Sequence, residues 1–360
     1  MTRTLRFLLP MSLLGGSITA QQPSGGTEPG RPSPISQTEL VRRLTTSLDS
    51  LSKAGQFSGV AVVAKNGMPV FQRAYGMADR ERRVANNPET AFNLGSINKI
   101  FTQIAILQLR AAGKLDLDST LATYWPDYPN KEVARRITIR QLMRHTSGIG
   151  GNIFGLPASG KRNDIRTLKD YLALFVNEPL AFEPGTRNAY SNAGYVVLGL
   201  LIERLSGDDY YTYVREHIFK PAGMTRTGSF SVDSLPPNTA IGYTRGHEDA
   251  PATTPLRPNI EDLPGRGSSA GGGYSTAQDL VRFLQALREN RIPNGLPAGL
   301  GIAGGSGGIN AVVEGALPGG YDLVVLTNLD PPAAERVARM TREWLGVHDD
   351  RGPGPGAPKR

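Results

Sequence analysis

Leu40, Leu44, Leu48 and Leu51 recur at helical spacing, with Ser36 or Thr38 placed to cap the first turn. The chain is therefore predicted to begin folding near residue 36 with an amphipathic helix whose far face is polar. The period then changes. Two β-rich runs, 57–64 and 69–75, flank Asn66 and Gly67, a pair that readily takes the positive φ angles of a tight hairpin turn. Near the other end, 309–314 and 321–327 flank Pro318, Gly319 and Gly320 and predict a second strand pair, followed by a last helix over 333–345. Between these β-rich ends the pattern is helical at 137–144, at 168–176, at 195–205 closed by Gly207, and at 210–219 stopped by Pro221. Strands at both ends with helices between them predict an α/β (α+β) fold. One antiparallel sheet is built from both chain ends and flanked by helices, with a helical insertion. The sheet part is expected at about 36–105 and 265–346, and the helical part at about 106–264.

The ends carry different signals. Residues 1–20 run from basic Arg3 and Arg6 through an apolar stretch to Ala20, which reads as a secretory signal peptide. A membrane anchor is the rival reading, but Pro10, Gly15 and Gly16 interrupt an apolar run shorter than the about 20 residues a span needs. Residues 21–35 are expected to be a flexible leader and 347–360 a disordered Pro/Gly tail. The expectation is thus a periplasmic or secreted protein without stable membrane insertion after signal cleavage. The chain has no Cys, which excludes disulfides, cysteine nucleophiles and thiolate metal sites. Of the formal charge of +8, Arg3, Arg6, Arg351, Lys359 and Arg360 sit in the terminal segments, and elsewhere basic residues interleave with acids. That distribution offers no footprint for nucleic acid.

The chemistry enters at an unusually apolar helix. Ile100, Phe101, Ile104, Ala105, Ile106, Leu107 and Leu109 follow Ser96 and Lys99, which predicts a buried helix. Ser96, after Gly95, falls on its first turn, where unpaired N–H groups and the positive end of the helix dipole favour developing negative charge. Lys99, three residues on, rises from the same face. A serine hydroxyl needs a base to become a nucleophile, and a lysine of ordinary pKa, about 10.4, is protonated at neutral pH. In an enclosed apolar setting desolvation penalises the ammonium, and the neutral amine can accept the proton. The Ser-x-x-Lys pattern alone is cheap, because Ser50 and Lys53 match it equally. Context separates the two: Ser50 closes an amphipathic helix on its wet face, whereas Ser96 opens a buried one.

A second element, 182–195, carries Pro184, Gly185, Tyr190, Asn192 and Gly194 and again precedes an apolar helix. With Ser96 and Lys99 it resembles the serine β-lactamase-related family: class C β-lactamases, the related penicillin-binding proteins, and the esterases and D-amino-acid peptidases that share their fold. Three further stretches, 115–118, 137–148 and 270–276, match in family order, so the resemblance covers about 38–346. It implies a β-lactamase/transpeptidase-like fold and a Ser96 acyl-enzyme. It places Tyr190 opposite Ser96 and Lys99 as the proton shuttle to the leaving group, and Asn192 on the substrate amide or ester. No metal or organic cofactor is implied. His145 and Ser147, which look like part of a triad, fall in what the family uses as a structural turn. Ser275, with Gln278 and Leu280 following, reads as a helix cap.

The chain also departs from the family. A third motif, Lys-Thr-Gly or His-x-Gly, should precede Gly308, Ile309 and Asn310; counting back places Ile302 where the cation or imidazole belongs. A group that helps bind the carboxylate of β-lactams is then missing, and β-lactam hydrolysis is disfavoured. Arg226, Thr227 and Gly228 imitate the motif but occur before the Gly-rich 271–273 stretch, and chain order rejects them. Gly304 and Gly305 would still let a strand backbone approach substrate, and the N–H of Gly305 with that of Ser96 could form an oxyanion hole. A short 289–300 segment suggests an open cleft. The expected function is an exported serine hydrolase acting on a small-molecule ester or D-amino-acid-type peptide, cell-wall peptide among the candidates. The alternative is a weakly catalytic or non-catalytic sensor of such peptide. A metal hydrolase has little support, since His145, His217, His247 and His348 lack ligand spacing.

Overall fold

Helix α1 (Gln37–Lys53) starts where Ser36 Oγ accepts the Glu39 N–H at 3.2 Å, and it buries Leu40, Leu44 and Leu48 on one stripe. In this computed structural model the described residues are 35–154, 159–246, 250–251, 253–293 and 299–347. The segments expected to be a signal peptide and a tail beyond Val347, and nearly all of the expected leader, lie outside them. Strands β1 (Gly59–Lys65) and β2 (Met68–Tyr75) pair antiparallel around Asn66 and Gly67, whose φ angles of 53° and 79° make the turn the pair predicts.

A 3-10 turn (Gly95–Ile97) leads into α2 (Asn98–Ala111), which is buried from Asn98 through Ile106. The helical region follows. Capping boxes at Thr138 and Thr167 start α3 (Ile139–Met143) and α4 (Leu168–Ala173), both shorter than their apolar patterns. Helix α5 (Asn192–Ser206) begins at Asn192, because Ser191 Oγ takes the Gly194 N–H, and Gly207 ends it at φ 87°. After α6 (Tyr210–Val214), Pro221 does not stop the helix as expected. A π-helical turn (Arg215–Phe219) carries the chain into a last turn (Lys220–Ala222) in which Pro221 stands at the start, where its missing N–H costs nothing. Gly223, at φ 73°, is the terminator. Helix α7 (Ala277–Arg288) also corrects an expectation. Its cap is Thr276, bonded to the Asp279 N–H at 3.1 Å, whereas Ser275 lies in a short pairing with Phe92 and its hydroxyl meets that of Thr227 at 2.7 Å. The acid three residues after Thr276, not the glutamine after Ser275, completes the start signal.

Strands β3 (Gly301–Ser306), β4 (Ile309–Leu317) and β5 (Tyr321–Thr327) complete the sheet, and α8 (Ala333–Trp344) closes the fold. The strand order is β2-β1-β5-β4-β3, antiparallel throughout. The N-terminal hairpin thus docks onto the C-terminal strands through β1 and β5, and one sheet is built from both chain ends. Its two faces are both covered. Ala61, Val63, Leu323 and Val325 pack with α1 and α8, and Val60, Val62, Val324 and Leu326 with the larger core that holds α2, α5 and α7. Burial on both sides explains why β1 and β5 read as continuous apolar runs rather than alternating ones. Among the described residues no helix is long and apolar enough to cross a membrane.

Candidate active site

Three elements meet at Ser96. The 3-10 turn presents its half-buried hydroxyl; α2 brings Lys99 up one turn beneath it; and the segment capping α5 lays Tyr190 across the opening. Lys99 is fully buried. Its Nζ lies 3.2 Å from Ser96 Oγ and 2.7 Å from Asn192 Oδ1, and it also donates to the backbone carbonyl of Ala270. Tyr190 OH donates to Ser96 Oγ at 2.5 Å. Burial holds the Lys99 amine well below the ordinary lysine range, since among the described residues no carboxylate is paired with it to compensate the lost hydration. A neutral amine has two N–H groups and one lone pair. Asn192 Oδ1 and the Ala270 carbonyl take the two donors, which leaves the lone pair facing the Ser96 hydroxyl. Burial also pushes the Tyr190 phenol up to about 12, the Ser96 contact opposing it, so the phenol keeps its proton at neutral pH. The arrangement can therefore take a proton from Ser96 on one side and give one on the other.

The Gly-rich segments act by letting backbones touch. A Cβ on Gly304 would stand 2.2 Å from the Leu94 carbonyl oxygen and 2.7 Å from the Ser96 nitrogen. A Cβ on Gly95, at φ 51°, would stand 3.0 Å from the Gly305 nitrogen. Strand β3 thus runs against the Ser96 turn with no side chain between them. Gly271 and Gly273 pack equally tightly, their Cβ positions 2.9 Å from the Gly95 carbonyl oxygen and 2.7 Å from Asn98 Nδ2. Gly304→Ala is expected to push β3 away and lower kcat by about 10²–10³-fold, the cost of one misplaced oxyanion donor. Gly301→Ala, with nothing within 4 Å of its Cβ position, is the control and should leave steady-state kinetics unchanged.

Ile302, two residues before Gly304 on β3, is buried in the larger apolar core and opposes Val313 in register. The position that the sequence resemblance aligns with the third motif's cation or imidazole is thus an apolar side chain packed in the core. The imitation at Arg226 to Gly228 is built into the fold elsewhere: the Arg226 N–H and the Thr227 hydroxyl bond to buried Asp279, and Gly228 bridges to Tyr274. Ser50 and Lys53 are exposed at the end of α1.

Two participants escaped the sequence reading. The Ala270 carbonyl is a backbone atom and leaves no side-chain signal. His145, read as part of a turn, lies under Tyr190 with ring centroids 4.7 Å apart at 29°, and its Nδ1 accepts the Ser191 N–H at 3.1 Å. Burial pulls its imidazole down to about 4, so it is neutral at physiological pH. Its φ of 58°, rare for a residue with a Cβ, is what points the ring there, but no pattern of letters reveals φ.

A family model described as Beta-lactamase matches residues 44–331. PbpX of Bacillus subtilis (strain 168), named as a penicillin-binding protein, is 36% identical over 256 residues, which are 71% of this chain and 61% of PbpX, so the chain spans about three-fifths of that relative. Esterase EstB of Burkholderia gladioli is 30% identical over 353 residues, covering 87% of each protein. The crystal structure of a penicillin binding protein from Bacillus halodurans superposes with a TM-score of 0.70 at 30% identity, over 81% of this chain and 98% of that one. A D-amino acid amidase from Ochrobactrum anthropi SV3 shares the fold, with a TM-score of 0.70 at 22% identity over 86% of this chain and 98% of the amidase.

Proposed function

The chain belongs to the Beta-lactamase family, and on that premise we propose that it is an exported serine hydrolase that forms an acyl-enzyme on Ser96, acting on an ester or a D-amino-acid-type amide. The observation that carries this reading is the bracketing of Ser96 Oγ by a buried amine at 3.2 Å and a protonated phenol at 2.5 Å. As Ser96 Oγ bonds to the substrate carbonyl carbon, its proton passes to Lys99. The bond to the leaving oxygen or nitrogen then breaks, and the leaving group takes a proton through Tyr190. Water, deprotonated through the same pair, releases the acid and regenerates the hydroxyl. Asn192, already bonded to Lys99, orients substrate at the mouth of the site. The amides of Ser96 and Gly305 hold the oxyanion.

Two observations support ester or neutral amide over β-lactam. Ile302 supplies no charge for a substrate carboxylate, and the similarity to an esterase extends over nearly the whole of both chains. Export rests on the pattern of residues 1–20 and is checked by the N-terminal mass of protein recovered from the culture fluid or periplasm. The substrate reading is tested by comparing kcat/KM for short-chain nitrophenyl esters, D-amino-acid amides that lack a free carboxylate, and nitrocefin. Esters, or D-configured amides, are expected to exceed nitrocefin by about 10²-fold or more, the scale on which a site rejects a group it leaves unpaired. Preference for nitrocefin would overturn it. Stable labelling by a fluorescent penicillin without turnover of any substrate would favour the sensor that Ile302 also allows.

A further inference from the structure

The Tyr190 loop is fastened almost entirely to one short stretch. The His145 carbonyl accepts the Ala189 N–H at 2.9 Å and His145 Nδ1 accepts the Ser191 N–H at 3.1 Å, so the residues on either side of Tyr190 are both held by His145. The imidazole lies flat on the phenol between them. Neighbouring bonds extend the seam: the Gly185 N–H reaches the Thr146 carbonyl, Asn188 Nδ2 the Arg144 carbonyl, and Ser191 Oγ the Ile149 carbonyl. Because Nδ1 accepts an N–H, the ring proton sits on Nε2, which is buried and has no partner among the described residues. The groups facing the ring are Tyr190, Tyr195 at 5.1 Å between centroids, and Lys99. A buried, half-satisfied imidazole in a left-handed conformation is costly for the fold alone. Its contacts converge on the phenol that meets the nucleophile.

The geometry points to His145 as the positioning residue for Tyr190: a neutral imidazole that fixes, by stacking and by its Nδ1 and carbonyl bonds to both flanking amides, the placement of the phenolic oxygen on Ser96. Its ring stacks on Tyr190 and its Nδ1 holds the Ser191 amide, with no hydrogen bond to Ser96 among the described residues, so its effect on the reaction passes through Tyr190. This rests on the acyl-enzyme reading above, and its test is separable from that reading.

The test is a double-mutant cycle. His145→Asn keeps an acceptor within reach of the Ser191 N–H and tolerates positive φ, but removes the ring. It is expected to lower kcat by about 10- to 100-fold, the cost of about an ångström of misplacement, with KM within about 3-fold. In a Tyr190→Phe background the same substitution should cost less than about 3-fold, because there is no phenolic oxygen left to place. An equal loss in both backgrounds, or no loss in either, would overturn the proposal. If the wild-type protein shows no Ser96-dependent turnover, it is the acyl-enzyme reading that fails. Should His145→Asn not fold, ¹⁵N-histidine spectra of the wild-type protein decide. A neutral ring with bare Nδ1 at pH 7 supports the assignment, and an imidazolium or a proton on Nδ1 refutes it.

Discussion

Ser96→Ala should lower kcat by about 10⁶-fold, the scale seen when a hydrolase loses its nucleophile outright, and abolish covalent labelling by a fluorophosphonate probe. The hydroxyl is where the two proton-handling contacts converge, Lys99 Nζ at 3.2 Å and Tyr190 OH at 2.5 Å. Its removal leaves Lys99 bonded to Asn192 and the Ala270 carbonyl, and Tyr190 still clasped by His145. The fold should therefore be nearly untouched, with unfolding free energy within about 1 kcal/mol of wild type. Intact-mass measurement after incubation with probe reads the adduct directly. An adduct that survives the substitution would show that a group other than Ser96 is the nucleophile.

Replacing Lys99 should have the next largest effect. Lys99→Met removes the base and is expected to cost about 10³-fold in kcat, within the range for a positioned general base. Lys99→Arg should not rescue it, because a guanidinium cannot give up its proton in a protein. The pH dependence carries the sharper information. Burial lowers the Lys99 pKa in the folded enzyme, so acylation in the wild type falls as pH drops through that lowered value. The residual rate of Lys99→Met should lack that limb.

The same shift acts on stability with a definite sign. Between the lowered folded pKa and the unfolded value of about 10.4, the unfolded chain binds one proton more than the folded one, so this group makes the protein more stable as pH rises. The difference in unfolding free energy between wild type and Lys99→Met should change by about 1.4 kcal/mol per pH unit in that window, in favour of the wild type at higher pH. Urea titrations at pH 7 and pH 9 measure it. A difference that stays constant would mean that the amine is charged in both states and cannot be the base.

Much of this was legible in residue order, and the reasons differ by element. The Asn66-Gly67 hairpin, the leucine stripe of α1 and the Gly207 stop were readable because each depends on local backbone preference or on a period that a few residues define. The misreadings share one cause. The letters at Pro221 and Ser275 point to a stop and a cap, whereas a π-helical turn over Arg215–Phe219 leads into the turn that holds the proline, and a pairing with Phe92, far off in the chain, occupies the serine. Helices α3 and α4 came out shorter than their apolar patterns because caps, which are hydrogen bonds, set the ends.

For the site, residue order carries the inventory: a serine at the mouth of an apolar helix, a lysine three residues on, a tyrosine ahead of another helix, and glycines where a strand comes close. Those are matters of spacing and residue chemistry, and spacing along one helix is nearly geometry already. Which atoms meet was settled by how distant segments fold together. That folding set Tyr190, 94 residues from Ser96, with its oxygen on the Ser96 hydroxyl. It brought the Ala270 carbonyl and Asn192 to consume the two donors of Lys99, and it laid His145 beneath the phenol. The physical reason is that a lowered amine pKa, a stacked ring and a backbone-to-backbone contact are each properties of an enclosure. An enclosure exists only when segments from both ends and the middle of the chain close on one another.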